Sequence, residues 1–541
     1  MSRKGGLLVK GTLILSAATL ISKILGSLFW IPFQNIAGDY TVGLYKAAFP
    51  LYTILLMVAT AGIPITVSKF VAERLSEGDK LGARRVLKVA ATILSISGLI
   101  SFLLLFLGSN WIAEVVLGEP ETEKSLKVLS FALLIVPLMA VQRGYFQGHQ
   151  NMMPTGLSQV VEQFVRVGTV IVLTYWMIQA GFTPGSVAAG ATFGAVIGAA
   201  GGMLVMIGYN LRDLKTSPLQ ETERAPSPPE PAGKLAQRIL RFAIPISIGS
   251  LVLPLIALLD SVTVPRMLVA THNFTQEAAY FWFGVYGRGD VFINVIATFS
   301  SALTLVLIPS IASLVAKKEH EAVQRRISQA WLMTVVIGLP SSVGLAVISR
   351  PVNIMMYKSD EGTVVVGVLV LSAIFSTLAV TSSGILQGLG YNKLPVRHLF
   401  IGAVIKVCGN LLLIPLLGIT GSALAMVIAY LVICSLNVFM VTRKTGAEIS
   451  YHSVFIKPLI CTALMAITMF LALRGIEWYL QAPLSGRIPS LFATIGLILL
   501  GSIVYGVALL LTRTIGKSEL RLLPMGDKIC DLLTRLRLLP D

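Results

Sequence analysis

The chain has 541 residues, of which 55% are hydrophobic and only 13% are charged. A soluble domain carries about 25% charged residues, so this composition excludes an ordinary soluble protein and predicts many membrane-spanning segments. The formal net charge of +17 does not indicate nucleic-acid binding, because the basic residues gather in the loops on one side of those segments.

A helix needs about 20 apolar residues to cross a bilayer, and about fourteen stretches of the sequence meet that length. The predicted fold class is therefore an all-α polytopic membrane protein. The first stretch continues past residue 30 without a small-residue cleavage site, so we expect no cleavable signal peptide. The predicted spans are 9–35, 44–70, 86–109, 126–148, 154–178, 184–210, 239–263, 281–313, 328–349, 363–388, 394–417, 419–441, 454–474 and 489–512.

A polar, proline-rich segment separates the first six spans from the remaining eight. Such a composition cannot form a packed core and predicts a flexible linker. The end of the chain alternates leucines with arginines and lysines, which predicts an amphipathic helix lying on anionic lipid. The predicted parts are a six-helix bundle (1–210), the linker (211–237), a second six-helix bundle (238–442), two extra spans (443–513) and the basic tail (514–541).

Short motifs recur at an offset of about 240 residues. A Gly-x-x-Gln-Gly sequence begins at Gly144 and again at Gly384, and a Gly-x-Tyr sequence begins at Gly43 and again at Gly284. Several matches that share one offset predict a duplication. Because equivalent helices are six helices apart along the chain, which is an even number, the two bundles would be parallel repeats, related by pseudo-symmetry. The basic loops fall on the side of both chain ends, so both termini are expected in the cytoplasm.

Charged residues within the predicted spans are the strongest functional signal. An ionisable group in hydrocarbon costs about 3 kcal/mol or more, so such groups usually face a partner or a watery cavity. The cations of this kind are Lys23, Arg166, Arg288 and Lys406, and the acids are Glu162, Asp260 and Asp290.

The four cations are predicted to bind an anionic substrate. Lys23 and Arg288 fall at similar depth, one in each half, and a guanidinium is well shaped to hold a phosphate. The alternative for Arg288 is a snorkelling cation satisfied by Asp290 or by the membrane interface. Arg166 and Lys406 correspond across the repeat, and we expect them to extend the basic path near the middle of the membrane.

The three acids have two interpretations each. Glu162 stands four residues before Arg166, which makes an ion pair within one helix easy, so it is either a structural partner or a cavity residue. Asp260 either pairs with Arg266 at the outer rim or acts as an ion-coupling carboxylate. Asp290 is predicted to be a local counter-ion or a coupling group.

The sequence shows no catalytic pattern. The four cysteines and five histidines lack metal-ligand spacing, and no phosphate-binding glycine loop is present. The outer loops are too short for a catalytic domain. We therefore expect no enzyme activity, no catalytic residue, no metal and no cofactor. Lys69 and Arg241, at cytoplasmic helix ends, are interpreted as snorkelling cations.

Three segments carry a family resemblance: residues 22–26 (SKILG), 61–64 (AGIP) and 68–73 (SKFVAE). The chain resembles bacterial polysaccharide exporters of the multidrug/oligosaccharidyl-lipid/polysaccharide (MOP) superfamily, especially the stage V sporulation protein B group and the MurJ-type lipid II flippases. The resemblance covers nearly the whole chain. It implies alternating-access flipping of an undecaprenyl-pyrophosphate-linked saccharide, for cell-wall or surface polysaccharide synthesis, in the bacterial cell membrane.

The resemblance also implies roles for particular residues. Arg288 matches an arginine that lines the flippases' cavity. Lys23 takes the place of a second such arginine, and the lysine keeps the positive charge but lacks the paired N–H donors of a guanidinium. Between Pro50 and Pro64 the flippases carry an arginine that this chain lacks. The expected partners are the lipid-linked saccharide, membrane lipids and a coupling ion, either sodium or a proton. The alternative function is a cation-coupled multidrug antiporter, which would need an acidic, aromatic cavity.

Overall fold

The computed structural model describes residues 3–60, 62–216, 230–446, 452–480 and 484–514, and over these ranges its regular structure is helical, without strands. The middle of the predicted linker (217–229) and the predicted amphipathic tail from residue 515 onward lie outside the described residues. The all-α fold class is confirmed for the part of the chain that is described.

Two compact units divide the chain, residues 1–287 and 288–541. The boundary falls inside a single helix, α10, and the arrangement as two six-helix bundles with two added spans stays a prediction. The helices that begin in the first unit are α1 (Arg3–Leu28), α2 (Trp30–Thr60), α3 (Ile63–Ser76), α4 (Lys80–Trp111), α5 (Glu123–Gly148), α6 (Met153–Gln179), α7 (Pro184–Thr216), α8 (Ala232–Ser250), α9 (Val252–His272) and α10 (Gln276–Ala316).

The second unit continues from α10 to the C-terminal helices. Its helices after α10 are α11 (His320–Val347), α12 (Ser349–Tyr357), α13 (Thr363–Val370), α14 (Ser372–Gly388), α15 (Lys393–Leu417), α16 (Ile419–Thr445), α17 (Lys457–Tyr479) and α18 (Arg487–Leu511). Its core joins α11, α14 and α16 around the fully buried Trp331, whose indole N–H donates to the hydroxyl of Ser382 at 2.9 Å.

Twelve stretches of the described residues are long and apolar enough to cross a membrane. One of them, Leu15–Ser76, contains the second predicted span and most of the first. The predicted eighth span lies within α10. The chain is therefore a multi-pass membrane protein, while the count of fourteen spans stays a prediction.

The second predicted span is interrupted where the sequence places glycine and proline. Gly62 separates α2 from α3 and has a φ of 74°, a left-handed conformation that glycine adopts without strain. Pro64 lies in the first turn of α3, where its missing N–H has no helical partner to lose. A Cβ on Gly62 would collide with the carbonyl of Ala243 in α8. The break therefore lets α3 pack closely against α8.

The helices extend beyond the predicted spans at both sides of the linker. α7 continues to Thr216 and α8 begins at Ala232, so both ends of the predicted linker (211–237) are helical rather than flexible coil. A second difference is α12, a short helix in a region expected to be an outer loop. It forms because Pro351, Val352 and Ile354 bury one face, a packing contribution that local propensity does not contain.

Glycine contacts support the predicted duplication, each within its own unit. A Cβ on Gly144 would lie 2.6 Å from the carbonyl oxygen of Pro64, and a Cβ on Gly384 would collide with the side chain of Thr304. Gly384 lies 240 residues after Gly144, and Thr304 lies 240 residues after Pro64, so the two contacts occupy equivalent positions of the repeat. The same shift relates the contact of Gly148 with Val71 to that of Gly388 with Ile311.

Another repeated glycine pair meets directly at the crossing of α2 and the first part of α10, within the first unit. A Cβ on Gly43 would collide with the carbonyl of Tyr280, and a Cβ on Gly284 would collide with the carbonyl of Asp39. Across the repeat, Gly43 corresponds to Gly284 and Asp39 corresponds to Tyr280. Each of the two contacts is therefore the repeat equivalent of the other. This reciprocity is typical of a two-fold contact between duplicated segments.

Candidate functional site

Lys23 lies on α1, within the first unit, and its side chain is exposed. It follows Thr19 by four residues and precedes Gly26 by three, so the three share one side of the helix. Thr19 donates to the side-chain oxygen of Gln159 on α6 at 3.3 Å, and Gly26 faces Gln163 of the same helix. Lys23 therefore stands beside a run of polar residues on α6. This polar stripe of α6 consists of Gln159, Glu162, Gln163 and Arg166.

Arg166 ends the polar stripe inside a group of aromatic rings. Its Nη2 donates to the hydroxyl of Tyr45 at 2.9 Å, and its guanidinium lies 4.9 Å from the ring centre of Phe49 and 5.8 Å from that of Phe29. Cation–π contacts of this kind stabilise a partly desolvated guanidinium. Within the described structure the Nε of Arg166 is buried without a hydrogen-bond partner. Arg166 therefore keeps an unused donor.

Glu162 is bound by a residue that the sequence analysis missed. Arg143 on α5 donates from Nη2 to its Oε2 at 2.7 Å, and Arg143 Nε donates to the hydroxyl of Ser158 at 2.7 Å. The ion pair with Arg166 that the helical spacing allowed is not formed. Arg143 lies five residues before the end of the predicted fourth span, and that charge near a helix end was the available signal.

Arg288 is buried within the second unit, with only 1% of its surface exposed. Its Nη1 donates to Asn353 Oδ1 at 3.1 Å and to the backbone carbonyl of Glu361 at 3.0 Å, and its guanidinium lies 4.9 Å from the ring centre of Tyr357. Asn353 also donates to the carbonyl of Glu361 at 2.8 Å. Arg288 thus fastens the turn between α12 and α13.

Lys406 is completely buried between α15 and α16. Its ammonium donates to Asn410 Oδ1 at 2.8 Å, to the backbone carbonyl of Ser422 at 2.9 Å and to the hydroxyl of Ser422 at 2.8 Å. An ammonium group has three donors, so these contacts use its full capacity. In this structure Lys406 joins two helices.

The two remaining acids differ in what the structure shows. Asp260 on α9 is buried and accepts from the hydroxyl of Tyr286 at 3.5 Å. Its expected pair with Arg266 is not formed, because Arg266 donates to the backbone carbonyl of Val115 instead. Asp290 is partly buried on α10, and its role as a counter-ion stays a prediction.

The described residues contain no group of three or more His, Cys, Asp or Glu side chains that could hold a metal ion. The chemistry that the site offers is therefore hydrogen bonding and charge. In the first unit, Lys23 and Arg166 present cationic groups with remaining donor capacity beside the polar stripe of α6. In the second unit, Arg288 and Lys406 are enclosed by protein donors and acceptors.

Long apolar helices that carry charges in their interior are typical of a multi-pass membrane protein with a functional site inside the membrane. The family model described as polysaccharide biosynthesis protein matches residues 8–315, and the model described as lipid II flippase MurJ matches residues 290–483. The chain belongs to the polysaccharide biosynthesis protein family. It is a membrane transporter and not an enzyme.

Three relatives from Bacillus subtilis (strain 168) align over most of the chain. The uncharacterized membrane protein YabM is 30% identical over 97% of this chain and 96% of its own length. The lipid II flippase MurJ is 30% identical over 87% of this chain and 89% of its own length. Stage V sporulation protein B is 26% identical over 96% of this chain and 98% of its own length. The resemblance read from the sequence is thereby confirmed.

Two solved structures share the fold. A lipid II flippase MurJ in an inward closed conformation superposes with a TM-score of 0.62 at 17% identity, over 92% of this chain and 98% of that chain. An inward-facing multidrug resistance MATE family transporter of the MOP superfamily also gives a TM-score of 0.62, at 16% identity, over 80% of this chain and 95% of that chain. At these identities the likeness concerns the fold alone.

Proposed function

We propose that the chain flips an undecaprenyl-pyrophosphate-linked saccharide across the bacterial cell membrane for cell-wall or surface polysaccharide synthesis. Two related proteins with whole-chain alignments support this class of substrate, the lipid II flippase MurJ and stage V sporulation protein B. The observation that carries the proposal is the cationic, polar surface formed by Lys23 and Arg166 beside the polar stripe of α6.

A pyrophosphate head group is the kind of ligand that such a surface can hold. Arg166 retains a buried Nε–H donor, and a guanidinium forms paired, charge-assisted hydrogen bonds with phosphate oxygens. Lys23 is exposed and can add a second charge without disrupting the core. The neighbouring amides of Gln159 and Gln163 suit the hydroxyl groups of a saccharide, because each offers a donor and an acceptor.

The four predicted cations do not contribute equally to this proposal. Arg288 and Lys406 are held by internal hydrogen bonds and are almost completely enclosed. We infer that in this state they stabilise the second unit, and that they reach a substrate only in a state that opens those bonds. Of the four predicted cations, Lys23 and Arg166 therefore make the substrate contacts in this state.

The proposed transport cycle alternates access between the two sides of the membrane, with both chain termini in the cytoplasm. The membrane potential supplies about 2.3 kcal/mol per charge per 100 mV, so coupling to sodium or protons can drive it. Asp260, buried and hydrogen-bonded to Tyr286, is the proposed coupling carboxylate.

Reconstitution of the full chain into proteoliposomes tests the function. The assay measures how fast a fluorescent lipid II, or another undecaprenyl-pyrophosphate-linked saccharide, becomes accessible to a membrane-impermeant quencher. We expect transfer by the wild type, at least tenfold slower transfer by Lys23→Ala and Arg166→Ala, and partial retention by Lys23→Arg and Arg166→Lys. Wild-type rates in both neutral variants would overturn the cationic site, and no transfer of any saccharide carrier would overturn the function.

The alternative function, export of organic cations, can be tested in the same proteoliposomes. Such a transporter needs an unneutralised carboxylate in its cavity. Glu162 is neutralised by its ion pair with Arg143, so this acid does not favour it. Proton-driven uptake of a cationic dye without any lipid transfer would establish that alternative.

A further inference from the structure

A cleft of about 400 Å³ opens between α3 and α8, within the first unit. We call it the α3–α8 cleft. Its volume falls in the range typical of small-ligand sites, about 300–1,000 Å³. The close approach of Gly62 to Ala243 holds the two helices together at its base. Its lining consists of Lys69, Phe70, Glu73, Arg238, Arg241 and Phe242.

Cations and aromatic rings alternate around this cleft. The Lys69 ammonium lies 4.3 Å from the ring centre of Phe242, and the Arg238 guanidinium lies 4.5 Å from that of Phe70. Glu73 lies between these two cations, 3.8 Å from the nitrogen of Lys69 and 3.1 Å from that of Arg238. The rings orient the basic groups and leave their outer donors accessible.

The cleft carries an excess of positive charge. The lining has three cations, Lys69, Arg238 and Arg241, and one carboxylate, Glu73. Beside the lining, Glu230 lies 3.5 Å from Arg238 and also pairs with Arg74 at 3.0 Å, so this added pair contributes no net charge. Arg241 is exposed and has no acidic partner among the residues that the structure describes. The lining therefore has a formal charge of about +2, which complements the two negative charges of a pyrophosphate diester better than the single charge of a phospholipid phosphodiester.

The two helices that form the cleft also carry exposed apolar side chains. Ile65 on α3 is 58% exposed and Leu240 on α8 is 38% exposed. A charged pocket beside exposed apolar side chains suits an amphiphile whose head group is anionic and whose tail stays in lipid. The basic-loop pattern assigns this end of α3 to the cytoplasmic face, the side on which a lipid-linked precursor would first meet the protein.

We propose that the α3–α8 cleft is a cytoplasmic receiving site for the pyrophosphate of the lipid-linked substrate, separate from the surface around Lys23 and Arg166. This inference rests on the proposed function. Arg241 makes the first contact, and the pyrophosphate then displaces Glu73 from Lys69 and Arg238. Because Glu73 and the ligand compete for the same two cations, removal of the carboxylate strengthens binding.

Binding to the purified full-length chain in detergent tests the site, with geranylgeranyl pyrophosphate as the probe and isothermal titration calorimetry as the readout. We expect Arg241→Ala to weaken binding about tenfold, or about 1.4 kcal/mol, and Glu73→Gln to strengthen it several-fold. Lys88→Ala removes an exposed cation of α4 that does not line the cleft and should bind as the wild type does. Opposite effects of Arg241→Ala and Glu73→Gln cannot arise from a general loss of folding.

Two comparison ligands distinguish the sources of phosphate. Inorganic pyrophosphate should bind more weakly than the prenylated probe, and short-chain phosphatidylglycerol should bind weakly with no difference between the wild type and Arg241→Ala. Equal affinity of Arg241→Ala and Lys88→Ala for the probe would overturn the receiving site. If phosphatidylglycerol binds as tightly as the probe and Arg241→Ala weakens that binding, the ligand of the cleft is an ordinary membrane lipid and not the lipid-linked substrate.

The receiving site and the proposed function fail in different experiments. If the cleft variants bind the probe normally while the wild type flips labelled lipid in proteoliposomes, only the receiving site is wrong. If the wild type flips no saccharide carrier, the proposed function is wrong, whatever the cleft binds.

Discussion

Arg143 on α5 and Glu162 on α6 form an ion pair between two helices, with 2.7 Å between Nη2 and Oε2. Both side chains are largely buried, with 14% and 22% exposure. Ser158 accepts a second hydrogen bond from the same guanidinium. The pair therefore fixes Glu162 within the polar stripe of α6 and leaves Arg166 without an ion pair to this acid.

Breaking this pair on one side should destabilise the first unit. Removal of one partner of a buried ion pair leaves an uncompensated charge and costs about 3–5 kcal/mol. We expect Arg143→Ala and Glu162→Ala each to lower the melting temperature of the purified protein strongly, and Arg143→Met combined with Glu162→Leu to recover most of the loss. If the double variant is as unstable as the two single losses added together, the two residues do not act as a pair.

The same residues show what the sequence could and could not predict. The charge of Glu162 within a span identified it as unusual, because hydrocarbon penalises any ionised group. Its partner could not be found from helical spacing, since Arg143 lies on a different helix, nineteen residues earlier. Pairing across helices depends on packing, which a single sequence does not display.

Backbone features could be predicted from the sequence more readily than side-chain contacts. The break near Pro64 was signalled by Gly62, since glycine and proline act on the local chain. The burial of Arg288 could not be predicted from the local sequence. Its partners Asn353 and Glu361 lie on α12 and in the turn after it, more than sixty residues later in the chain. The role of Arg288 as a substrate-binding cation stays a prediction, because its surroundings are set by tertiary structure.

Lys406 should prove more important for stability than for substrate contact. Loss of its ammonium leaves Asn410 and both acceptors of Ser422 without their donor, and each hydrogen bond to a charged group contributes about 1.5–3 kcal/mol. We expect Lys406→Met to melt at a clearly lower temperature, with the transfer rate per folded molecule in proteoliposomes close to that of the wild type. A variant of normal stability that no longer transports would place Lys406 in the substrate path.

The crossing of α2 with α10 should tolerate no side chain. Gly43→Ala and Gly284→Ala each direct a methyl group into a backbone carbonyl, and overpacking of this kind costs about 1–3 kcal/mol. Gly208→Ala is a matched control on α7, because no atom lies within 4 Å of the added Cβ and alanine favours a helix. We expect lower melting temperatures for the first two variants and no decrease for the control. An unchanged melting temperature for Gly284→Ala would show that the helices are not in contact there.

Glu119, between the spans that end at Leu117 and begin at Pro120, should make the stability of the outer loop depend on pH. Burial raises the pKa of its carboxyl above the usual 4.5, and the charge of Glu121 adds to that effect, although a backbone hydrogen bond from Glu121 opposes it. The folded state therefore binds this proton more tightly than the unfolded state does.

The sign of the effect follows from that difference. The stabilisation linked to the proton is fully present below about pH 4.5 and is lost as the pH rises through the raised folded-state pKa. We expect Glu119→Gln, which keeps an acceptor and carries no charge, to melt higher than the wild type at pH 7 and to depend less on pH between 5 and 7. Glu114→Gln, an exposed control three residues before the end of the preceding span, should leave the wild-type pH dependence intact. An identical pH profile for Glu119→Gln and the wild type would mean that the buried carboxyl does not titrate with folding.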